Sequence, residues 1–197
     1  MEKDEAQMTQ SESLQLIASM INKAKNRFSE SGTLYLLWGW LILICCIVQF
    51  ISLHFFDTDA SYIWFSTWLL LIYQFFFLRK RIKARNVRTY TEEINGFVWV
   101  TFFICLILVN YVAVQFRRYE LIAPMLLILY GMPTFLSGII LKFKPLIVGG
   151  ICCWLLALIS PFINVNYQLL LSSAAVISAW IIPGYLLKQK FRKGNEI

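Results

Sequence analysis

Residues 79–88 read RKRIKARNVR and set Arg79, Lys80, Arg81, Lys83, Arg85 and Arg88 between two long apolar segments. Basic residues beside a hydrophobic span resist translocation, so such a block holds its loop on the cytoplasmic side of a membrane. With that loop fixed, the side of every other loop follows by counting spans outward from it.

The composition supports a chain whose solvent is lipid. Of 197 residues, 59% are hydrophobic and 15% charged, with mean hydropathy +0.65. A soluble domain carries about 45–50% apolar and about 25% charged residues. The net charge of +7 would suggest nucleic acid in a soluble protein. Here the cations flank apolar runs and no nucleic-acid-binding motif is present, so the partners read are anionic headgroups of the cytoplasmic leaflet and no nucleic acid.

Upstream of the basic block lie apolar runs at about 34–55 and 62–78. Downstream lie 94–116, 121–141, 145–163 and 169–187. The first of the six is about 33 Å long as a helix, enough to cross a ~30 Å hydrocarbon core, and the second is short but very aromatic. The expected fold is therefore all-α: a bundle of six transmembrane helices over 33–197, preceded by a cytoplasmic segment over 1–32. Sixteen of the eighteen Lys and Arg residues then face the cytoplasm, leaving only Arg117 and Arg118 outside. Both termini are cytoplasmic in this layout. The first apolar run begins only after a polar and amphipathic stretch, so the first span is read as an uncleaved anchor.

Within the N-terminal segment, Thr9-Gln10-Ser11-Glu12 fits a capping box, and Thr89-Tyr90-Thr91-Glu92 fits another before the third span. Leu14, Ile17, Ile21, Ala24 and Phe28 follow at spacings that share one helical face. The spacing predicts an amphipathic helix over 11–30, stopped at Gly32. Its apolar face would lie on the inner leaflet or the bundle, or dock a cytoplasmic protein partner.

Chemistry in a membrane protein is sought first among ionisable residues at depth. Away from the span ends this sequence has none, which argues against proton pumps, voltage sensors and intramembrane proteases. Ser137, in Thr134-Phe135-Leu136-Ser137-Gly138, lacks a companion base. The five cysteines, Cys45, Cys46, Cys105, Cys152 and Cys153, all fall in apolar runs without a CxxC, and the single histidine, His54, sits near a span end. They read as small apolar fillers, and no metal or cofactor is expected. The protein is read as not an enzyme.

Two polar residues, Gln49 and Asn110, fall at similar depth in spans one and three, where they can hydrogen-bond to each other as structural glue or contact a polar substrate; Gln74 is a third intramembrane amide. Gly131 and Pro133 predict a kink in span four, with Thr134 and Ser137 taking up carbonyls that proline leaves free. His54, Asp57, Asp59, Arg117, Arg118 and Glu120 gather by position at the outer rim, where they can form an exposed ion-pair cluster. In the last two spans, Gly149, Cys153 and Ala157 form one row of small residues and Ala175 and Ala179 another. Such rows let membrane helices approach closely, so spans five and six are expected to pack tightly; a homo-oligomer is a separate partner that the sequence allows.

The stretch YGMPTFLSGIILKFKPLIVGGICCW, from Tyr130 to Trp154, and the run Ile182-Pro183-Gly184-Tyr185-Leu186-Leu187 resemble a group of small uncharacterised bacterial six-helix membrane proteins with the same order of spans. The resemblance implies a bacterial inner membrane and no particular activity. Two functions follow from the residues. One is a non-enzymatic interaction or signalling role through the basic cytoplasmic surfaces. The alternative is a small carrier or channel for an apolar or weakly polar solute, built around the kinked fourth span.

Overall fold

In lipid, backbone N–H and C=O groups find no water, so a spanning apolar run must satisfy them within itself as a helix. A computed structural model of the protein describes Gln15, residues 31–56, Thr58, and residues 60–83 and 90–194. The elements are α1 (Ser31–Phe55), a 3-10 turn (Ser61–Trp64), α2 (Phe65–Lys83), α3 (Tyr90–Gln115), α4 (Ile122–Ile140), α5 (Lys144–Ile159), α6 (Val165–Val176) and α7 (Ile182–Gly194). A π-helical turn, Ile177–Ile181, joins α6 to α7. Among the described residues, six helices are long and apolar enough to cross a membrane, the sixth being α6, the π turn and α7 together. The protein is an all-α, multi-pass integral membrane protein.

The amphipathic helix expected over 11–30, with Leu14, Ile17, Ile21 and Phe28, lies outside the described residues apart from the backbone at Gln15. So do Arg85, Arg88, Thr89, Asp57 and Asp59, and the side chains of Lys80, Arg81, Lys83 and Glu92.

Small residues decide which helices approach. A Cβ on Gly150 would lie 2.8 Å from Phe135 Cβ and 2.9 Å from Phe135 N, and one on Gly131 would strike the Trp154 indole, so α4 and α5 pack through their glycines. Against the sixth span, a Cβ on Gly149 would stand 2.7 Å from Ala179 Cα, and Cys153 Sγ lies 3.9 Å from the Ala175 carbonyl. The two small-residue rows meet each other. Gly32, expected to stop a helix, instead lies inside α1, where its missing Cβ lets the Gly184 carbonyl approach; a Cβ there would stand 3.3 Å from that oxygen.

The core is built from α1, α4, α5 and the sixth span, around Tyr130, Leu127, Leu146, Val176, Ala179 and Trp180. The first helix packs on α6, the π turn and α7, so the first and last spans close the bundle together. Helix α3 leans on α4. Helix α2 buries none of its most apolar stretch and packs along α1. Two indole–amide hydrogen bonds tie it there: Trp38 donates to Gln74, and Trp64 Nε1 to Gln49 Oε1 at 2.5 Å.

Both non-glycine residues with positive φ among the described residues are basic and end a helix: Arg117 (φ 52°) after α3 and Lys142 (φ 50°) after α4. In each case the next residue's N–H reaches back across the turn, Arg118 N to Ala113 O at 2.9 Å and Phe143 N to Gly138 O at 2.8 Å. This is the Schellman closure, with a cation where glycine is usual and where it complements the helix dipole. The sixth span starts earlier than its composition predicted. Asn164 opens α6, and Gln168, expected in a loop, is buried and donates Nε2 to the Ser160 and Ile163 carbonyls at 3.1 and 3.2 Å. It thereby satisfies carbonyls at the end of α5 that a helix terminus leaves free.

Candidate functional site

One group of interior polar side chains gathers near Pro133, with Thr134 and Ser137 fully buried. Trp180 Nε1 donates to Thr134 Oγ1 at 2.9 Å, and Thr134 Oγ1 donates to the Tyr130 carbonyl at 2.7 Å. One turn on, Ser137 Oγ donates to Asn95 Oδ1 of α3 at 2.7 Å. Tyr35 of α1 is buried beside Ser137 and Trp99, with its ring edge-on to Trp99 at 5.6 Å. Tyr130 and Trp180 rings lie 4.9 Å apart, and Trp99 and Phe102 extend the aromatic set. Four helices thus meet through one polar–aromatic cluster.

Two helix irregularities frame it. Helix α4 runs without interruption through Pro133, while the sixth span widens into the π turn that carries Trp180. Pro183 explains the second: its ring collides with the carbonyl four residues back, and the preceding turn opens. π turns are frequent at functional sites. The sequence placed the irregularity at Gly131 and Pro133; the wide turn is in the facing helix. Thr134 and Ser137 do not take up the carbonyl that Pro133 leaves free, which is that of Leu129. Thr134 bonds Tyr130, its own i−4 carbonyl, and Ser137 reaches across to Asn95.

The expected Gln49–Asn110 pair is not formed. Gln49 accepts the Trp64 indole, and Asn110 Nδ2 donates to the Leu106 carbonyl one turn back at 2.8 Å. A nearby partner on the adjacent span or on the same helix satisfies each amide without bringing α1 and α3 together at that depth. Of the outer-rim group, Arg118 pairs with Glu120 at 3.3 Å, whereas His54 stacks on Phe50 at 5.6 Å.

At the other end of the bundle, the cations left by spans two, four and six are exposed. Arg79 sits over the Phe75 ring at 4.3 Å, and Lys190 Nζ lies 5.5 Å from the centre of Phe143. Lys142 and Lys144 flank Phe143 in the α4–α5 turn. Among the described residues, none of Arg79, Lys142, Lys144, Lys188 and Lys190 has a carboxylate partner.

Comparison with family models, with curated proteins and with solved structures finds no match to this chain. The reading of the site therefore rests on geometry. Among the described residues no group of three His, Cys, Asp or Glu side chains gathers, and all five cysteines are free thiols. The Ser137 hydroxyl is bonded to an amide, which is no base. Asn95, Tyr35 and Trp180 escaped the sequence reading. Asn95 lies one residue inside the third span beside charged neighbours, and aromatic residues are too common here to stand out. The spacing of Asn95 and Trp99, one helical turn apart, was the available signal.

Proposed function

We propose that this protein is a non-enzymatic integral protein of a bacterial inner membrane, with both termini cytoplasmic. In this reading it acts in interaction or signalling through its basic cytoplasmic surfaces. The observation that carries the reading is the unneutralised basic edge. Arg79 and Lys190 are held at span ends by the Phe75 and Phe143 rings, and Lys142, Lys144 and Lys188 stand beside them without ion-pair partners among the described residues. Cations fixed at a membrane boundary and left unpaired favour anionic headgroups, at about 1 kcal/mol each, or an acidic cytoplasmic protein partner. The sequence of the 79–88 block adds to the same edge, and the charge count supports its cytoplasmic side.

The test is a native pull-down from mild detergent, comparing the intact chain with one lacking residues 1–30 and with one carrying Lys142→Glu, Lys144→Glu and Lys190→Glu. A stoichiometric cytoplasmic protein retained by the intact chain and lost on charge reversal is the expected result. Recovery of the same proteins from all three forms would rule the basic edge out. Labelling of single cysteines placed at 144 and 118 by a membrane-impermeant maleimide tests the orientation, with only position 118 reacting from outside.

A second reading, a small carrier or channel for an apolar or weakly polar solute, draws support from the meeting of the Pro133 helix with the π turn at one level of the bundle. A π turn within a spanning helix is a feature frequent at functional sites. Solute flux into liposomes, abolished by Thr134→Val and Trp180→Phe, would favour it.

A further inference from the structure

A pocket of about 170 Å³ opens at the end of the bundle opposite the basic edge, lined by Val112, Ala113 and Phe116 of α3 and its end, then Arg118, Leu121 and Met125. Its exposed lining is apolar. Ala113 forms a buried floor, while Phe116, Leu121 and Met125 stand exposed around it. A cavity of roughly 150 Å³ with such walls accepts a benzene-sized group. This one therefore has room for a short run of methylenes.

The pocket lies where spans three and four end and begin, at the depth at which acyl chains meet their headgroups. Arg118 lines it, and Arg117 stands in the chain between the lining residues Phe116 and Arg118; these are the two basic residues that chain position sets apart from the other sixteen. Arg118 lays its stem on the pocket and pairs with Glu120 at 3.3 Å. Arg117 is exposed, is held at φ 52°, and has no ion-pair partner among the described residues. The turn between two lining residues therefore carries one positive charge without an ion-pair partner among the described residues. A purely apolar occupant would leave that charge unused, and a soluble anion would leave the socket unused.

We propose that this pocket binds an anionic phospholipid of the surrounding leaflet, with the upper methylenes of one acyl chain against Ala113 and Met125 and the phosphate on Arg117. This site is independent of the basic edge and of the function assigned to it.

The test is native mass spectrometry of the full chain, released from detergent micelles doped with palmitoyl-oleoyl phosphatidylglycerol or with the phosphatidylcholine of the same chains. The wild-type chain should retain one phosphatidylglycerol in preference to phosphatidylcholine. Arg117→Asn keeps the left-handed turn, which asparagine tolerates, and should lower that retention about fivefold. Ala113→Leu, which fills the socket, should lower it for both lipids. Glycerol phosphate, a headgroup without chains, should not compete. Equal retention of the two lipids, unchanged retention in Arg117→Asn, or full competition by glycerol phosphate would each overturn the proposal. Arg117→Asn decides alone if Ala113→Leu does not fold.

Discussion

Trp180 and Thr134 are joined by an indole-to-hydroxyl hydrogen bond of 2.9 Å that ties the π turn of the sixth span to the fourth helix beside its internal proline. Hydrogen bonds between membrane helices contribute about 0.6–2 kcal/mol. Trp180→Phe keeps the ring against Tyr130 and removes the donor, so it should cost an amount in that range. Thr134→Val removes the acceptor and also the bond to Tyr130. A double-mutant cycle measured by reversible unfolding from bicelles should show coupling of about 0.6 kcal/mol or more. Strict additivity would mean that the bond contributes nothing.

The glycines divide into two kinds. Gly149→Ala would drive its methyl into Ala179 Cα and the Ser178 carbonyl, at 2.7 and 2.8 Å, and backbone cannot step aside. A loss of about 1–3 kcal/mol is expected. Gly96→Ala in α3 meets nothing within 4 Å. It should be neutral or stabilising, by up to about 1 kcal/mol, through helix propensity. Comparison of the two melting temperatures in one detergent checks both; a Gly96→Ala variant as damaged as Gly149→Ala would contradict the packing described.

The second helix should detach more readily than any other. It is held to α1 by the Trp38–Gln74 and Trp64–Gln49 bonds and buries none of its most apolar stretch. Gln49→Leu with Gln74→Leu removes both acceptors. The distance distribution between spin labels on α1 and α2 should then broaden while the distance between α1 and α6 stays narrow. Equal broadening of both would show that α2 supports the core after all.

The turn after α4 should be sensitive to backbone conformation and little else. Lys142 holds φ 50° there. Lys142→Asn fits the left-handed turn and should stay within about 0.5 kcal/mol of wild type. Lys142→Val puts a β-branched residue there and should lose about 1–2 kcal/mol. Indistinguishable unfolding curves for the two would exclude the strain.

Apolar run length and the 79–88 block were enough to read six spans, because lipid leaves a spanning chain no alternative to the helix. The facing of Gly149 and Cys153 with Ala179 and Ala175 was also legible, since small residues one turn apart mark a close approach. Hydrogen-bond partners were not. Gln49 and Asn110 matched in depth, but depth says nothing about azimuth, and each amide found a nearer partner in Trp64 or its own helix. The Trp180 turn was hidden for a similar reason: Pro183 announces a disturbance one turn upstream but not its kind. Asn95 was passed over because it lies among the charged residues that open its span.

Helix α1 finds its main protein partners in α6, the π turn and α7, the last of the six spans to be synthesised. During biosynthesis the first span must therefore wait for its main partner, with the loosely held α2 and the aromatic contacts of Tyr35 and Trp38 with α3 at its side, until the sixth span has been inserted. Assembly is completed by the arrival of the sixth span, when Gly184 meets Gly32. A message truncated before that span would leave α1 with an uncovered face, which a membrane quality-control protease could recognise as an orphan.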